Sequence, residues 1–167
     1  MFKKLFGKEE PVSPTVEVVA PITGKIVSLE EVPDPVFSQK MMGDGLAIEP
    51  TVGKVKSPIK GEVIQLFPTK HAVGLRALNG AEILIHIGLE TVSMDGEGFE
   101  SYVNQGDKVE VGQDLISFDI NLIKEKAKST LTPIIVTNSD EMNEIDQQLN
   151  GEVNGGTDVV LKITKQN

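Results

Sequence analysis

The chain holds two histidines, His71 and His86, and no cysteine. Imidazole is the one side chain whose ordinary pKa lies near neutrality, so proton or group transfer at pH 7 points to these two residues. His86 lies in an apolar run, Glu82-Ile-Leu-Ile-His86-Ile-Gly88, and Asn79-Gly80 stands just ahead of it. Asn-Gly favours a two-residue hairpin turn in which both central positions take φ > 0. With those residues at the turn, Leu78 pairs with Ala81, Val73 faces His86 and His71 faces Gly88. Side chains alternate along strands, so Thr69, His71, Val73, Leu84, His86, Gly88 and Glu90 are predicted on one face, with Ile83, Ile85 and Ile87 on the core side. His71 and His86 become diagonal neighbours with Cα atoms roughly 7–8 Å apart, and Gly88 is predicted to leave open space beside His86.

A strand histidine can be a purely structural residue, but two on one hairpin face support more specific chemistry. Neutral imidazole is a nucleophile, and phosphoryl transfer asks the protein mainly for positioning and charge stabilisation. His86 suits the nucleophile, His71 a hydrogen-bond donor to phosphoryl oxygens, and Thr69 a hydroxyl that fixes the His71 ring. Two imidazoles could instead bind a metal, with Glu90 as third ligand. However, the sequence contains no His-Glu-x-x-His motif, and the phosphoryl reading requires neither metal nor cofactor. Gly-x-Ser-x-Gly and P-loop patterns are absent as well. Lys40-Met41-Met42 loosely resembles a biotin-carrier tripeptide with its order disturbed; the alternative is that Met41 and Met42 are adaptable contact residues beside Phe37.

The elements that must position these residues are β-strands. Short aliphatic segments from Thr15 onward are broken by Gly and Pro, and Val103 to Phe118 forms a strand–turn–strand unit around Gly106-Asp107 and Gly112-Gln113. Further strands are expected at 134–136 and 159–163. Ala20-Pro-Ile-Thr-Gly-Lys-Ile-Val-Ser-Leu29 is echoed 37 residues on by Ser57-Pro-Ile-Lys-Gly-Glu-Val-Ile-Gln-Leu66, which indicates a duplicated β motif. Asp34-Pro35 starts one short helical turn and 121–128 reads as another. The predicted fold is all-β, an antiparallel sandwich or partly closed barrel. With Tyr102 and six phenylalanines as the only aromatics, its core must be aliphatic.

One domain over 15–167 is expected, after a flexible tail over 1–14. In residues 1–8, Phe2, Leu5 and Phe6 among Lys3, Lys4 and Lys8 could give at most a weak membrane contact. A net charge of −9 argues against general nucleic-acid binding. No apolar run is long enough to cross a bilayer, and the expected compartment is the cytoplasm.

The stretch Gly80-Ala-Glu-Ile-Leu-Ile-His86-Ile-Gly-Leu-Glu-Thr-Val92 closely resembles the phosphorylation-site signature of the glucose-type IIA component of the bacterial phosphoenolpyruvate-dependent sugar phosphotransferase system. Ala20-Pro-Ile-Thr-Gly24, Val32-Pro-Asp34, Gly43-Asp-Gly45, Thr69-Lys-His71-Ala72, Gly96-Glu-Gly-Phe99 and Glu125-Lys-Ala-Lys-Ser-Thr-Leu-Thr-Pro133 extend the likeness over about 16–163, in the stand-alone form. Ser93 replaces the Ala or Val common there, and Pro35 a valine. The resemblance implies that His86 accepts a phosphoryl group on Nε2 from the phosphocarrier HPr and passes it to a cysteine of the IIB domain of a sugar permease. It implies that His71 contacts the phosphate, supported by Thr69, and that Asp34, Glu90 and Asp140 rim the site. Val36, Phe37, Met41, Met42, Phe67, Leu84 and Val92 would form an apolar docking face. The same face is implied to bind regulated enzymes or permeases according to phosphorylation state.

Overall fold

Alternating aliphatic and polar residues, interrupted every few positions by Gly, Pro or Asn, leave the chain little option but short strands. The computed structural model describes residues 13–166. In chain order the strands are β1 (Thr15–Val19), β2 (Gly24–Val27), β3 (Asp44–Pro50), β4 (Lys54–Lys56), β5 (Gly61–Leu66), β6 (Ala72–Ala77), β7 (Glu82–His86), β8 (Phe99–Ser101), β9 (Lys108–Val109), β10 (Asp114–Phe118), β11 (Thr132–Val136), β12 (Glu144–Gln147), β13 (Glu152–Val153) and β14 (Val159–Thr164). Two short helices join them, α1 (Pro35–Ser38) and α2 (Ile120–Lys126). All strand pairings are antiparallel. An eight-stranded sheet, β13-β2-β3-β11-β7-β6-β5-β9, packs with two three-stranded sheets, β1-β14-β12 and β4-β10-β8. The predicted antiparallel all-β fold is the observed one, and it is not closed into a barrel.

The sequence echo is structural. Val19 N donates to the Pro58 carbonyl and Lys56 N to the Pro21 carbonyl, at 3.0 and 2.8 Å, so the two copies bond reciprocally at matching positions. A Cβ on Gly24 would lie 2.1 Å from the Glu49 carbonyl oxygen, and one on Gly61 would lie 2.0 Å from that of Arg76. Both glycines therefore allow the same close approach to the next strand. The correspondence extends through the sheets: β4-β10-β8 repeats β1-β14-β12, and β5 with β9 repeats β2 with β13. One module is continuous from β4 to β10. The other is split around it, β1 to β3 before and β11 to β14 after. A single aliphatic core fills both modules, with Ile22, Ile59, Leu75, Ile85, Leu115 and Ile163 fully buried.

The hairpin turn differs from the sequence expectation. Ala77 N donates to the Ala81 carbonyl and Gly80 N to that of Ala77, at 2.8 and 3.0 Å, which makes a three-residue loop of Leu78, Asn79 and Gly80. Only Gly80 has positive φ there, at 96°. The Asn79 side chain serves outside the turn as well, donating to the carbonyls of Pro14 and Ile163 at 3.0 and 3.1 Å. The extra residue slips the pairing by one: Ala72, not Val73, stands opposite His86, and Val73 stands opposite Ile85. A one-residue slip exchanges faces, so Val73 belongs to the buried core rather than the histidine face. The expected tail falls on 1–12, outside the described residues, and on Ser13 and Pro14, where the Pro14 carbonyl also accepts from Lys165 N at 2.9 Å.

Candidate functional site

His86 ends β7 on the outer face of the large sheet, where a second apolar cluster gathers Leu29, Val32, Phe37, Ala47, Ala72, Leu84, Leu89 and Ile135. By strand alternation His71 would follow Val73 into the core. It escapes because it precedes β6 and because Lys70 is left-handed, with φ 59°. The turn is closed by Lys70 N donating to the Phe67 carbonyl at 2.7 Å, and the His71 carbonyl then accepts from Ile87 N at 2.7 Å. The two imidazoles lie edge to face, with ring centroids 5.0 Å apart. Phe37 packs 5.2 Å from the His86 ring, and Phe67 5.5 Å from that of His71.

Each ring is held through its Nδ1. His86 Nδ1 is 2.8 Å from the Gly88 carbonyl oxygen; a carbonyl only accepts, so this nitrogen carries the proton and Nε2 keeps its lone pair. His71 Nδ1 lies 2.5 Å from Thr69 Oγ1. With the hydroxyl donating, His71 presents Nε2–H as a donor.

Gly88 does not leave open space. A Cβ there would lie 2.7 Å from Thr91 Cγ2 and 2.9 Å from the Ser129 carbonyl oxygen, and its φ is 72°. Glycine is needed to turn the carbonyl onto His86 inside a crowded bend. Thr91, wholly buried, ties that bend by donating to the Ile87 carbonyl at 2.6 Å.

Burial, and second the charge His86 would carry, depress the His71 pKa from 6.5 to about 4. Burial also lowers that of His86, opposed by the Gly88 carbonyl and the Asp34 carboxylate. Both rings are therefore neutral at pH 7, one able to attack and the other to donate a hydrogen bond. These features fit the acceptance of a phosphoryl group. The stretch Gly80 to Val92 with His86 at its centre, Thr69 and His71 beside it, and the duplicated sandwich beneath together mark the family.

The chain belongs to the EIIA 1 family of the phosphoenolpyruvate-dependent sugar phosphotransferase system. The family model matches residues 16–142. Among relatives, the chain is 55% identical over 164 residues to the PTS system glucose-specific EIIA component of Bacillus cereus, covering 98% of this chain and 99% of that one. The Staphylococcus epidermidis component of the same name is 53% identical over 161 residues, covering 96% and 97%. The solved glucose permease IIA from Mycoplasma capricolum superposes with a TM-score of 0.84 at 43% identity, covering 89% of this chain and 95% of that one.

Within this EIIA fold the other predicted residues divide. Asp34 caps α1, its carboxylate accepting from Val36 N at 3.0 Å, and its charge reaches His86. Glu90, left-handed with φ 61°, heads the 3-10 turn Thr91–Met94, and its carboxylate lies 4.0 Å from Lys128 Nζ. Asp140 follows β11 at the end of that strand away from His86, in the turn Ser139–Glu141. Val36, Met41, Met42 and Val92 are exposed, Met41 by 69%. Phe37 and Leu84 are buried beneath them, at 4% and 7%, with Phe67 packed against the same cluster. The predicted docking set therefore comprises an exposed layer and its support. Lys40 is engaged by Glu30 and Asp44 at 3.3 and 3.4 Å. Among the described residues no cluster of three His, Cys, Asp or Glu side chains is placed to hold a metal, and no helix is long and apolar enough to cross a membrane. Sequence reasoning gave no individual role to Thr91, Thr132 or Lys128, although all three lie in the stretches that carry the family resemblance. Thr132 Oγ1, buried, accepts from Gly88 N at 3.4 Å. Its local signal is a hydroxyl in an otherwise apolar strand.

Proposed function

We propose that residues 15–167 form one cytoplasmic IIA domain that carries a phosphoryl group on His86 Nε2, taken from phosphorylated HPr and delivered to a cysteine of the IIB domain of a sugar permease. The observation that carries this reading is the Nδ1–H bond to the Gly88 carbonyl, which leaves Nε2 as the nucleophilic nitrogen. In the accepting step the Nε2 lone pair forms the new N–P bond as the donor's N–P bond breaks, and the electron pair returns to the donor imidazole. In the delivering step a cysteine thiolate forms an S–P bond while the His86 N–P bond breaks, restoring the neutral ring. His71, held by Thr69, donates Nε2–H to the equatorial oxygens, where charge accumulates in the transition state.

Asp34 and Glu90 lend negative charge to the rim. That charge disfavours overly stable storage of an anionic group on His86 and favours basic partner surfaces. The exposed layer of Val36, Met41, Met42 and Val92 supplies apolar contact. Such a surface suits brief encounters, with about 1,200 Å² or less buried in total.

The test is incubation with phosphoenolpyruvate, enzyme I and HPr, followed by intact-mass measurement at neutral to basic pH. One acid-labile phosphoryl group is expected, and it should be absent from His86→Ala. A His86→Ala protein that still gains the group removes the assignment.

A further inference from the structure

We infer that Lys128 is a positioning residue that fastens the α1 segment to the bend following His86. The backbone around Lys128 is anchored beside the site: Lys128 N donates to the Leu89 carbonyl at 3.2 Å, and Leu89 N to that of Ser129 at 2.9 Å. From this anchor the side chain crosses to the other rim. Lys128 Nζ donates to the Pro33 carbonyl at 2.8 Å and lies 4.0 Å from a Glu90 carboxylate oxygen.

Pro33 leads directly into Asp34 and α1. Among the described residues, every other hydrogen bond or ion pair made by residues 29–42 stays within 28–44. Apolar packing through Leu29, Val32 and Phe37 seats the segment, but such packing is non-directional and leaves its exact placement loosely specified. The Lys128–Pro33 bond supplies a direction. It sets where α1 presents Val36 to a partner, where Phe37 meets His86, and where the Asp34 carboxylate stands. The Glu90 carboxylate, 4.0 Å from the same ammonium, belongs to the bend that Lys128 joins to Pro33.

The functional part of this role rests on the phosphoryl-carrier reading, since a partner must dock on the face that α1 completes. Without the tie, the partner has to order the segment as it binds. That cost falls on encounter rather than on the chemical step. Lys128 is half exposed, so the expected effect is modest, about three- to fivefold in the KM for phosphorylated HPr with kcat unchanged.

The experiment compares the full chain with Lys128→Met, which keeps the apolar stem, and Lys128→Arg, which keeps a cationic donor. Amide hydrogen exchange reads the tie itself, without reference to phosphoryl transfer. In Lys128→Met the amides of Val36, Phe37 and Ser38, which are bonded to Asp34, should exchange several-fold faster. The β7 amides should be unchanged and Lys128→Arg should restore the α1 rates. Unchanged exchange at α1 in Lys128→Met overturns the tie. Faster exchange with an unaltered KM overturns its part in docking. A wild-type chain that takes no phosphoryl group refutes the carrier reading and with it the docking role, while the exchange data still decide whether Lys128 fastens α1.

Discussion

The depressed pKa of His71 makes a thermodynamic prediction that can be worked through. In the unfolded chain this imidazole titrates near 6.5, and in the folded protein at about 4. Its folded pKa is the lower one, so between these values the unfolded state binds the proton more readily. Stability from this group is complete above 6.5 and is lost as pH falls towards 4. Linkage gives a loss of about 2 kcal/mol by about pH 5, before most carboxylates titrate. For a domain of this size that corresponds to a fall in Tm of roughly 4–8 °C. His71→Gln retains a polar side chain at the position but cannot titrate. The assay is urea unfolding of both proteins at about pH 7.5 and about pH 5. Wild type should lose about 2 kcal/mol more than the variant across that interval, and NMR titration of the imidazole carbons should place the His71 midpoint well below 6.5. Equal losses, or a His71 midpoint at or above 6.5, would refute the reasoning that burial and the neighbouring ring keep it neutral.

Three further outcomes follow from the geometry. Thr69→Val removes the hydroxyl while keeping the shape; the loss of about 1–1.5 kcal/mol of hydrogen bonding should slow phosphoryl transfer about five- to tenfold, with recovery in Thr69→Ser. Gly88→Ala meets Thr91 Cγ2 and the Ser129 carbonyl while holding φ near 72°. It should cost at least about 1 kcal/mol from the left-handed backbone alone, read by urea unfolding, and impair acceptance on His86. Of the three Asn-Gly pairs, Gly80 N and Gly155 N are engaged by the Ala77 carbonyl and Thr23 Oγ1, whereas Gly151 N meets no acceptor among the described residues. Attack of the glycine nitrogen on the asparagine amide, with loss of ammonia, should therefore occur first at Asn150. Peptide mapping after prolonged mildly alkaline incubation checks the order.

The β architecture was legible because Gly, Pro and alternation act locally. The Pro21 and Pro58 echo was legible because both copies meet the same backbone at the same spacing. The hairpin register was not, since Asn-Gly suits a two-residue turn or the end of a three-residue one, and distant carbonyls at Pro14 and Ile163 recruit the Asn79 amide. The nearness of His71 to His86 was predicted through that incorrect register. It arises instead from Lys70 in a left-handed conformation that a lysine does not advertise. The helix expected over 121–128 stops at Lys126. Lys128 is thereby free to reach Pro33 across 95 residues, a link no local pattern reveals.

The pairing of Thr15 with Thr164 means that the chain enters and leaves the sandwich side by side. The Asn79 amide holds the carbonyls of Pro14 and Ile163, which places this doorway at the turn end of the histidine hairpin. His86 ends β7 at the other end of that hairpin, roughly 15–20 Å away at strand rise. A neighbouring domain spliced to either end, or a cut-and-rejoined chain whose old termini are linked there, would therefore leave the reactive face unobstructed.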